Sequence, residues 1–219
     1  MTANDVIRQI GEVGIIPVVR ASSVQDATRA VEAIYGGGIS IVEITMTVPD
    51  AVSVIREVGQ LYRNKVLVGA GTVTTAKQAE QCLLAGAEFL VSPGLSLAVL
   101  SVGASAGILT IPGALTPSEL MTAQEHGSSL VKIFPCGSVG GPKYLKSLRG
   151  PFPHASLIPT GGVNLANVAE FIAAGAFALG VGAELVDAKS LREGNLEKIS
   201  NGARALVDAV KSARAGITH

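Results

Sequence analysis

The chain has 219 residues, of which 48% are hydrophobic and 16% are charged. Its 17 basic and 17 acidic side chains leave no net charge, and only 4% of residues are aromatic, which argues against a protein that binds nucleic acid or an anionic membrane. No uncharged apolar run reaches membrane-spanning length, and two cysteines without metal-ligand spacing are typical of reduced thiols in a cytoplasmic protein.

One pattern repeats eight times along the chain. Each repeat has a short apolar run rich in β-branched residues, a turn with Gly, Pro or Thr, and a stretch with helical periodicity. The strand-like runs are residues 15–20, 41–45, 66–70, 89–92, 108–111, 130–134, 156–159 and 177–181. Helical patterns include residues 23–35, 50–61, 75–85 and 117–125, and residues 191–210 predict one long closing helix.

Turn and cap residues support these boundaries. Thr75, Thr116 and Asn164 precede helical patterns as N-cap residues, and Gly86 and Gly175 follow others. Continuous apolar strands fit a parallel sheet covered by helices. Eight β/α units in this length predict an α/β protein with a single (β/α)₈ TIM barrel domain over residues 1–219. A doubly wound open sheet is the alternative, but no GxGxxG follows the first strand.

Two charged residues lie inside apolar strands. Lys132 is the only charge in residues 130–134, and Glu43 is the only charge in residues 41–45. Glu43 belongs to strand 2 and Lys132 to strand 6. Alternate strands of a barrel contribute to the same interior layers, so the two side chains are expected to meet if both point inward. A structural ion pair and a rim lysine that reaches water stay open beside a functional amine.

The functional alternative has a defined chemistry. Burial disfavours the ammonium form of an amine, and a neutral lysine attacks a carbonyl carbon to give a Schiff base. Glu43 is the best candidate for the general acid/base that this reaction needs. His126, His154 and His219 occur in helix-end, loop and tail contexts, where solvated surface side chains are expected.

Glycine turns follow strands 7 and 8, where barrel enzymes often bind phosphate. The first contains Thr160, Gly161 and Gly162 and is expected to open directly into a helix; the second contains Gly182 and Ala183. Tight turns alone also require glycine.

Two other polar residues are candidates for binding a second, smaller anion. Arg20 and Thr72 are candidate donors for an anion such as a carboxylate, or they hydrogen-bond the rim. The acidic residues are too dispersed to indicate a metal site, although a carboxylate/water magnesium site stays open.

Taken in order, these motifs resemble the class I 2-keto-3-deoxy-6-phosphogluconate (KDPG) aldolases, also known as 4-hydroxy-2-oxoglutarate aldolases. The resemblance covers roughly residues 14–186. It rests on residues 14–20 (GIIPVVR), 42–45 (VEIT), 69–73 (GAGTV), 91–94 (VSPG), 111–113 (IPG), 131–135 (VKIFP) and 159–163 (PTGGV).

The resemblance implies roles for most of the candidate residues. Lys132 matches the Schiff-base lysine and Glu43 the acid/base glutamate. The remaining matches are substrate-binding positions, namely Thr45 in the Glu-x-Thr motif, Thr72 at the carboxylate, Pro93 and Phe134 in the pocket wall, and Thr160, Gly161, Gly162, Gly182 and Ala183 around the phosphate. Some members have an arginine where this chain has Thr47, so Arg20 becomes the candidate carboxylate ligand. Ala183 replaces a common serine, which makes the requirement for phosphate an open question.

The expected reaction is cleavage of KDPG to pyruvate and D-glyceraldehyde 3-phosphate in the Entner–Doudoroff pathway, with 4-hydroxy-2-oxoglutarate as a further substrate. The resemblance also implies a cytoplasmic homotrimer with a keto-deoxy sugar acid as its partner and with no cofactor and no metal. Alternatives are an aldolase for the phosphogalactonate epimer or an unphosphorylated keto acid, a phosphate-binding barrel isomerase or synthase, and a sugar-phosphate-binding protein without activity.

Overall fold

The computed structural model describes residues 1–216. Their strands are β1 (Ile15–Val19), β2 (Ile41–Thr45), β3 (Leu67–Gly71), β4 (Phe89–Val91), β5 (Leu109–Ile111), β6 (Gly113–Ala114), β7 (Val131–Ile133), β8 (Leu157–Pro159) and β9 (Leu179–Val181). Their α-helices are α1 (Ala3–Val13), α2 (Val24–Gly36), α3 (Ala51–Leu61), α4 (Ala76–Leu84), α5 (Leu97–Ala106), α6 (Pro117–Glu125), α7 (Pro142–Arg149), α8 (Val168–Ala173), α9 (Ala188–Arg192) and α10 (Leu196–Ala215).

All strand pairs are parallel, and the strands follow one another in chain order around a ring. Pro112 divides the fifth barrel strand into β5 and β6, and the amide of Lys132 donates to its carbonyl at 2.9 Å. A bridge between Thr160 and Gly180 joins β8 to β9. The predicted (β/α)₈ barrel is therefore confirmed, and β7, β8 and β9 are its sixth, seventh and eighth strands.

The apolar residues form two layers. One cluster fills the space between the strands and the surrounding helices, and a second occupies the lower barrel interior. Val6 and Ile10 on α1 belong to the interior cluster together with Ile16 and Phe89, so α1 closes the end of the barrel opposite the C-terminal strand ends. The sequence interpretation did not include α1, although the Thr2 capping box and the i, i+4 spacing of these two residues are helix signals.

Two of the three predicted N-cap residues begin their helices. The hydroxyl groups of Thr75 and Thr116 accept hydrogen bonds from the third residue of α4 and α6 at 3.2 and 3.3 Å. The prediction for Asn164 is wrong, because α8 begins only at Val168. The Asn164 side chain instead accepts from the amide of Ala166 at 3.0 Å, which stabilises a turn rather than a helix.

The closing segment is also different from the prediction of one helix over residues 191–210. It forms α9 and α10, separated by a turn in which Gly194 has φ of 68°. Glycine adopts this left-handed conformation at little cost, and Asn195 then caps α10. No helix within residues 1–216 is both long and apolar enough to cross a membrane.

Candidate active site

Lys132 and Glu43 meet inside the barrel. The Nζ atom of Lys132 on β7 lies 3.6 Å from Oε1 of Glu43 on β2. Only 4% of Lys132 and 2% of Glu43 are exposed. Within the described residues Oε1 has no hydrogen-bond partner, so the buried carboxylate is close to a cation but incompletely satisfied. Both side chains therefore point into the barrel and meet there.

Glycines on β3 create the space that Glu43 occupies. A Cβ atom on Gly71 would lie 1.9 Å from Oε1 of Glu43, and one on Gly69 would lie 2.2 Å from the Phe89 ring. These distances are far below van der Waals contact, so any side chain at Gly71 displaces the carboxylate. The glycines of the motif at residues 69–73 therefore contribute to the site by leaving room for the side chains of Glu43 and Phe89.

Phe134 and Pro93 lie next to the lysine. Nζ of Lys132 is 5.5 Å from the centre of the Phe134 ring, close enough for an attractive cation–π interaction. The same ring packs 3.5 Å from the position that a Cβ on Gly161 would take. Gly113 is the register partner of Lys132, and a Cβ there would lie 2.3 Å from the Pro93 carbonyl. The Phe134 ring thus lies beside the amine, and the Pro93 main chain lies against the strand that pairs with that of Lys132.

Thr45 and Thr72 differ in how their hydroxyl groups are used. Thr45 is fully buried, and its hydroxyl donates to the carbonyl of Val19 at 3.0 Å. Because that uses its only hydroxyl hydrogen, the Thr47 hydroxyl is the donor in the 2.7 Å hydrogen bond between the two threonines. Thr72 follows β3 with φ of 56°. A β-branched residue in this region costs of order 1–3 kcal/mol, and such strain clusters at ligand clamps. The Thr72 hydroxyl makes no hydrogen bond within residues 1–216, so it is available to a ligand.

The glycine turn after β8 presents free donors. Gly161 and Gly162 have φ of 87° and 78°, and their amides donate to no group in the part of the chain that the structure describes. Thr160 is buried beside this turn. The predicted direct opening into a helix is wrong, because Asn167 bonds the Gly162 carbonyl at 2.8 Å and α8 starts after it. An anion here would meet backbone amides but not a helix terminus.

Arg20 lies on another side of the barrel mouth. Its Nη1 atom is 3.7 Å from the position of a Cβ on Gly182, after β9. Together with Thr47 it lines a cavity of about 300 Å³. Ala183 is exposed in the same turn. The structure therefore groups Lys132 with Glu43, Phe134, Pro93 and Gly161, and groups Arg20 with Gly182 and Thr47.

Other chemistry-bearing residues lie away from this centre. His126 and His154 are exposed, whereas His219 lies outside the described residues. Within residues 1–216 no group of three or more His, Cys, Asp or Glu side chains is arranged to hold a metal. Cys82 and Cys136 are buried free thiols, and burial raises the pKa of each to about 11. Both thiols are therefore protonated and unreactive at neutral pH.

Comparison with known proteins identifies close relatives. Residues 6–201 match the sequence model of the KDPG and KHG aldolase family. The chain is 34% identical over 197 residues to the KHG/KDPG aldolase of Escherichia coli K12, covering 90% of this chain and 92% of the relative. It is 35% identical over 193 residues to the 2-dehydro-3-deoxy-phosphogluconate aldolase of Dickeya dadantii, covering 88% and 90%.

A solved structure supports the same relationship. The KDPG aldolase of Legionella pneumophila, with pyruvate captured at low pH as a covalent carbinolamine, is 31% identical and superposes with a TM-score of 0.85. The comparison covers 91% of this chain and 97% of that one.

Proposed function

The chain belongs to the KDPG and KHG aldolase family and is a carbon–carbon lyase, and we propose that it cleaves KDPG to pyruvate and D-glyceraldehyde 3-phosphate through a Schiff base on Lys132. The observation that carries this proposal is the buried contact of 3.6 Å between Lys132 Nζ and Glu43 Oε1. It supplies a nucleophile and a proton carrier in one water-poor chamber. 4-Hydroxy-2-oxoglutarate, which would give pyruvate and glyoxylate, is the second substrate of this proposal.

The first half of the reaction forms the covalent intermediate. Glu43 takes the ammonium proton of Lys132, and the resulting neutral amine adds to the C2 carbonyl; the carbinolamine then takes up a proton on its oxygen and loses water to give an iminium ion. Glu43 transfers these protons, because its Oε1 atom faces the amine and has no competing hydrogen bond within residues 1–216. The positive iminium nitrogen remains beside the carboxylate, which stabilises it electrostatically.

The second half breaks the carbon–carbon bond. Glu43, directly or through one water, removes the proton of the C4 hydroxyl, and the C3–C4 bonding electrons move into the iminium to give an enamine and the free aldehyde. Protonation of the enamine at C3 and hydrolysis of the iminium release pyruvate and restore the amine. Phe134, whose ring lies beside the amine, excludes water from this chamber together with Pro93, which packs against Gly113 on the neighbouring strand.

The remaining candidate residues bind the anionic groups of the substrate in this proposal. Thr72, whose hydroxyl is uncommitted, and Arg20 hold the carboxylate. The free amides of Gly161 and Gly162 bind the phosphate with Thr160, Gly182 and Ala183. Thr45 acts by fixing the end of β2, because its hydroxyl bonds Val19 and Thr47.

One feature favours a second candidate substrate class. Ala183 carries no hydroxyl and α8 does not begin at the glycine turn, so two sources of phosphate affinity are absent. An unphosphorylated 2-keto-3-deoxy acid is therefore the alternative substrate. The phosphogalactonate epimer is a separate alternative, which differs from KDPG only in its C4 configuration and is not favoured by this feature. Rates with phosphorylated and unphosphorylated substrates of both C4 configurations decide between these classes.

The proposal is tested by trapping the intermediate. The protein is treated with borohydride in the presence of pyruvate and digested, and the modified peptide is mapped. We expect a reduced pyruvyl adduct on Lys132, no adduct in Lys132→Arg, and an adduct as in the wild type when the exposed Lys146 is replaced by arginine. Absence of the adduct, or loss of activity to a chelator, contradicts a Schiff-base mechanism. Lys132→Arg with substantial turnover supports an isomerase or synthase in which the lysine acts only through its charge.

Two further properties belong to this proposal. We expect a homotrimer in solution, which light scattering measures as a mass three times that of the 22.2 kDa chain. We expect a cytoplasmic location, which cell fractionation measures.

A further inference from the structure

A second basic residue lines the cavity that contains Arg20. The cavity has a volume of about 300 Å³ and is bounded by the turn after β1, the turn after β2 and helix α9. Arg192, the last residue of α9, contributes a second guanidinium to its wall. Both residues are exposed, so water solvates the two like charges, and an anion between them would offset the repulsion that remains.

The acidic residues around this cavity are already paired. Asp26 pairs with Arg29 at 3.8 Å, Asp187 with Lys198 at 3.0 Å, and Glu193 with Lys189 at 4.0 Å. Neither Arg20 nor Arg192 makes a hydrogen bond or ion pair with another group in residues 1–216. Glu184 is exposed after β9 but does not line the cavity. Both guanidinium groups are therefore left with their donors unused.

The hydroxyl groups of the cavity do not serve as alternative donors. The Ser22 hydroxyl donates to Asp26 at 3.1 Å. The Thr47 hydroxyl donates to Thr45, because the only hydroxyl hydrogen of Thr45 is given to Val19. Arg20 and Arg192 are consequently the side-chain donors that the wall offers, and guanidinium pairs suit carboxylate and phosphate oxygens.

The backbone of the short helix that carries Arg192 is held in place by its cap. Asp187 accepts a hydrogen bond from the amide of Ser190 at 2.8 Å and from its hydroxyl at 2.6 Å. The bond from Lys198 then attaches this cap to α10. Helix α9 is thus held against the barrel mouth at its start, while Arg192 extends from its end. This restraint lowers the entropic cost of positioning the guanidinium.

We propose that Arg20 and Arg192 together form an anion-binding site that takes a carboxylate or phosphate group of the aldolase substrate. The site lies at the mouth of the chamber, because Thr47, which lines the cavity, shares a hydrogen bond of 2.7 Å with Thr45 at the end of β2. The identity of the ligand rests on the proposed function, whereas the existence of the site does not. Arg192 is in this view a binding residue that determines which anionic substrates are accepted.

The test compares Arg192→Ala, Arg192→Lys and a control, Arg204→Ala, in an exposed arginine of α10 outside the cavity. Isothermal titration calorimetry with pyruvate measures carboxylate binding, and titration with inorganic phosphate measures phosphate binding. We expect Arg192→Ala to weaken one of the two by about 10-fold or more, the usual effect of losing a charged hydrogen bond. Arg192→Lys restores part of the affinity, and Arg204→Ala has no effect.

The pattern of losses identifies the bound group. Weaker pyruvate binding assigns the site to the carboxylate, and weaker phosphate binding assigns it to the phosphate. Equal binding by Arg192→Ala and Arg204→Ala in both titrations, or no measurable binding of either anion by the wild type, overturns the proposal. Borohydride trapping on the wild type tests the proposed function separately from the anion site. If no adduct forms but anion binding still depends on Arg192, the Schiff-base function is contradicted and the anion site is retained.

Discussion

Replacing Gly71 with alanine is the sharpest perturbation of the proposed acid/base group that leaves every charged residue in place. The new Cβ atom would lie 1.9 Å from Oε1 of Glu43 and 2.4 Å from its Cδ, whereas ordinary contact begins at 3.4 Å. The carboxylate oxygen must therefore move by about 1.5 Å. Gly71 is a strand residue without positive φ, so alanine introduces no backbone strain and the effect falls on Glu43.

A displacement of this size has a predictable kinetic consequence. Misplacing a catalytic group by about 1 Å lowers rates by roughly 10²-fold, which corresponds to about 2.7 kcal/mol of transition-state stabilisation. We expect Gly71→Ala to lower kcat for KDPG cleavage by this factor. Lys132 still forms the pyruvyl adduct on long incubation with borohydride, because the substitution does not contact the amine.

Gly69→Ala is the matched control on the same strand and the same face. Its Cβ would lie 2.2 Å from the Phe89 ring, and overpacking a buried ring costs about 1–3 kcal/mol of folding free energy. We expect a lower urea midpoint with kcat near that of the wild type. A folded Gly71→Ala protein with unchanged kcat refutes the role of Glu43, as does an equal kcat loss in both variants.

Three further predictions concern stability and reactivity. Lys132→Met leaves the Glu43 carboxylate buried without a cation, so urea unfolding is expected to show a free energy of unfolding lower by about 3–5 kcal/mol. Adding Glu43→Gln to the same chain should recover most of this loss, and no recovery would contradict the pairing. Hydrogen bonds from Ser190 hold the pKa of Asp187 well below its usual range, so its carboxylate stabilises the fold fully above about pH 4 and loses this contribution as pH falls through the lower folded-state value. Asp187→Ala should therefore cost about 1 kcal/mol at pH 7 and progressively less in acid, and a cost that is constant with pH would disprove this. Because burial raises the pKa of both cysteine thiols to about 11, a thiol reagent at pH 7 should label them only after unfolding in urea, and rapid labelling of the native protein would show an open route to a thiol.

The barrel was predictable because its signals are local and repeated. Each strand is a short apolar run bounded by turn residues, and α6 begins and ends at the predicted positions, Pro117 and Glu125. The errors occur where a tertiary contact decides the local structure. Gly194 interrupts a sequence with helical periodicity, because the chain turns there so that α9 and α10 both pack on α2 while α10 alone continues across α8. Asn164 has the right chemistry for a cap, but the side chain of Asn167 bonds the Gly162 carbonyl and delays α8.

The candidate site was predictable in part for the same reason. A charge inside an apolar strand is visible in the sequence, and the shared parity of strands 2 and 6 indicated that Lys132 and Glu43 meet. Arg192 carried no such signal, because it lies in an exposed polar segment where arginine is ordinary. Only the three-dimensional arrangement shows that it shares a cavity with Arg20 and that the neighbouring acids are paired elsewhere.

The glycines explain how a barrel interior becomes a reaction chamber. Barrel interiors are normally filled by branched side chains in layers, and the lower layer here follows that rule. Above it, a Cβ atom at Gly71 or Gly180 would collide with Glu43 or Thr160. The missing side chains remove packing energy on β3 and β9 and make room for a buried carboxylate, whose Oε1 atom has no hydrogen-bond partner within residues 1–216. A purely structural ion pair gains nothing from lost packing and an unsatisfied carboxylate oxygen, whereas a chamber that must admit a keto acid to Lys132 requires both the space and the uncommitted oxygen.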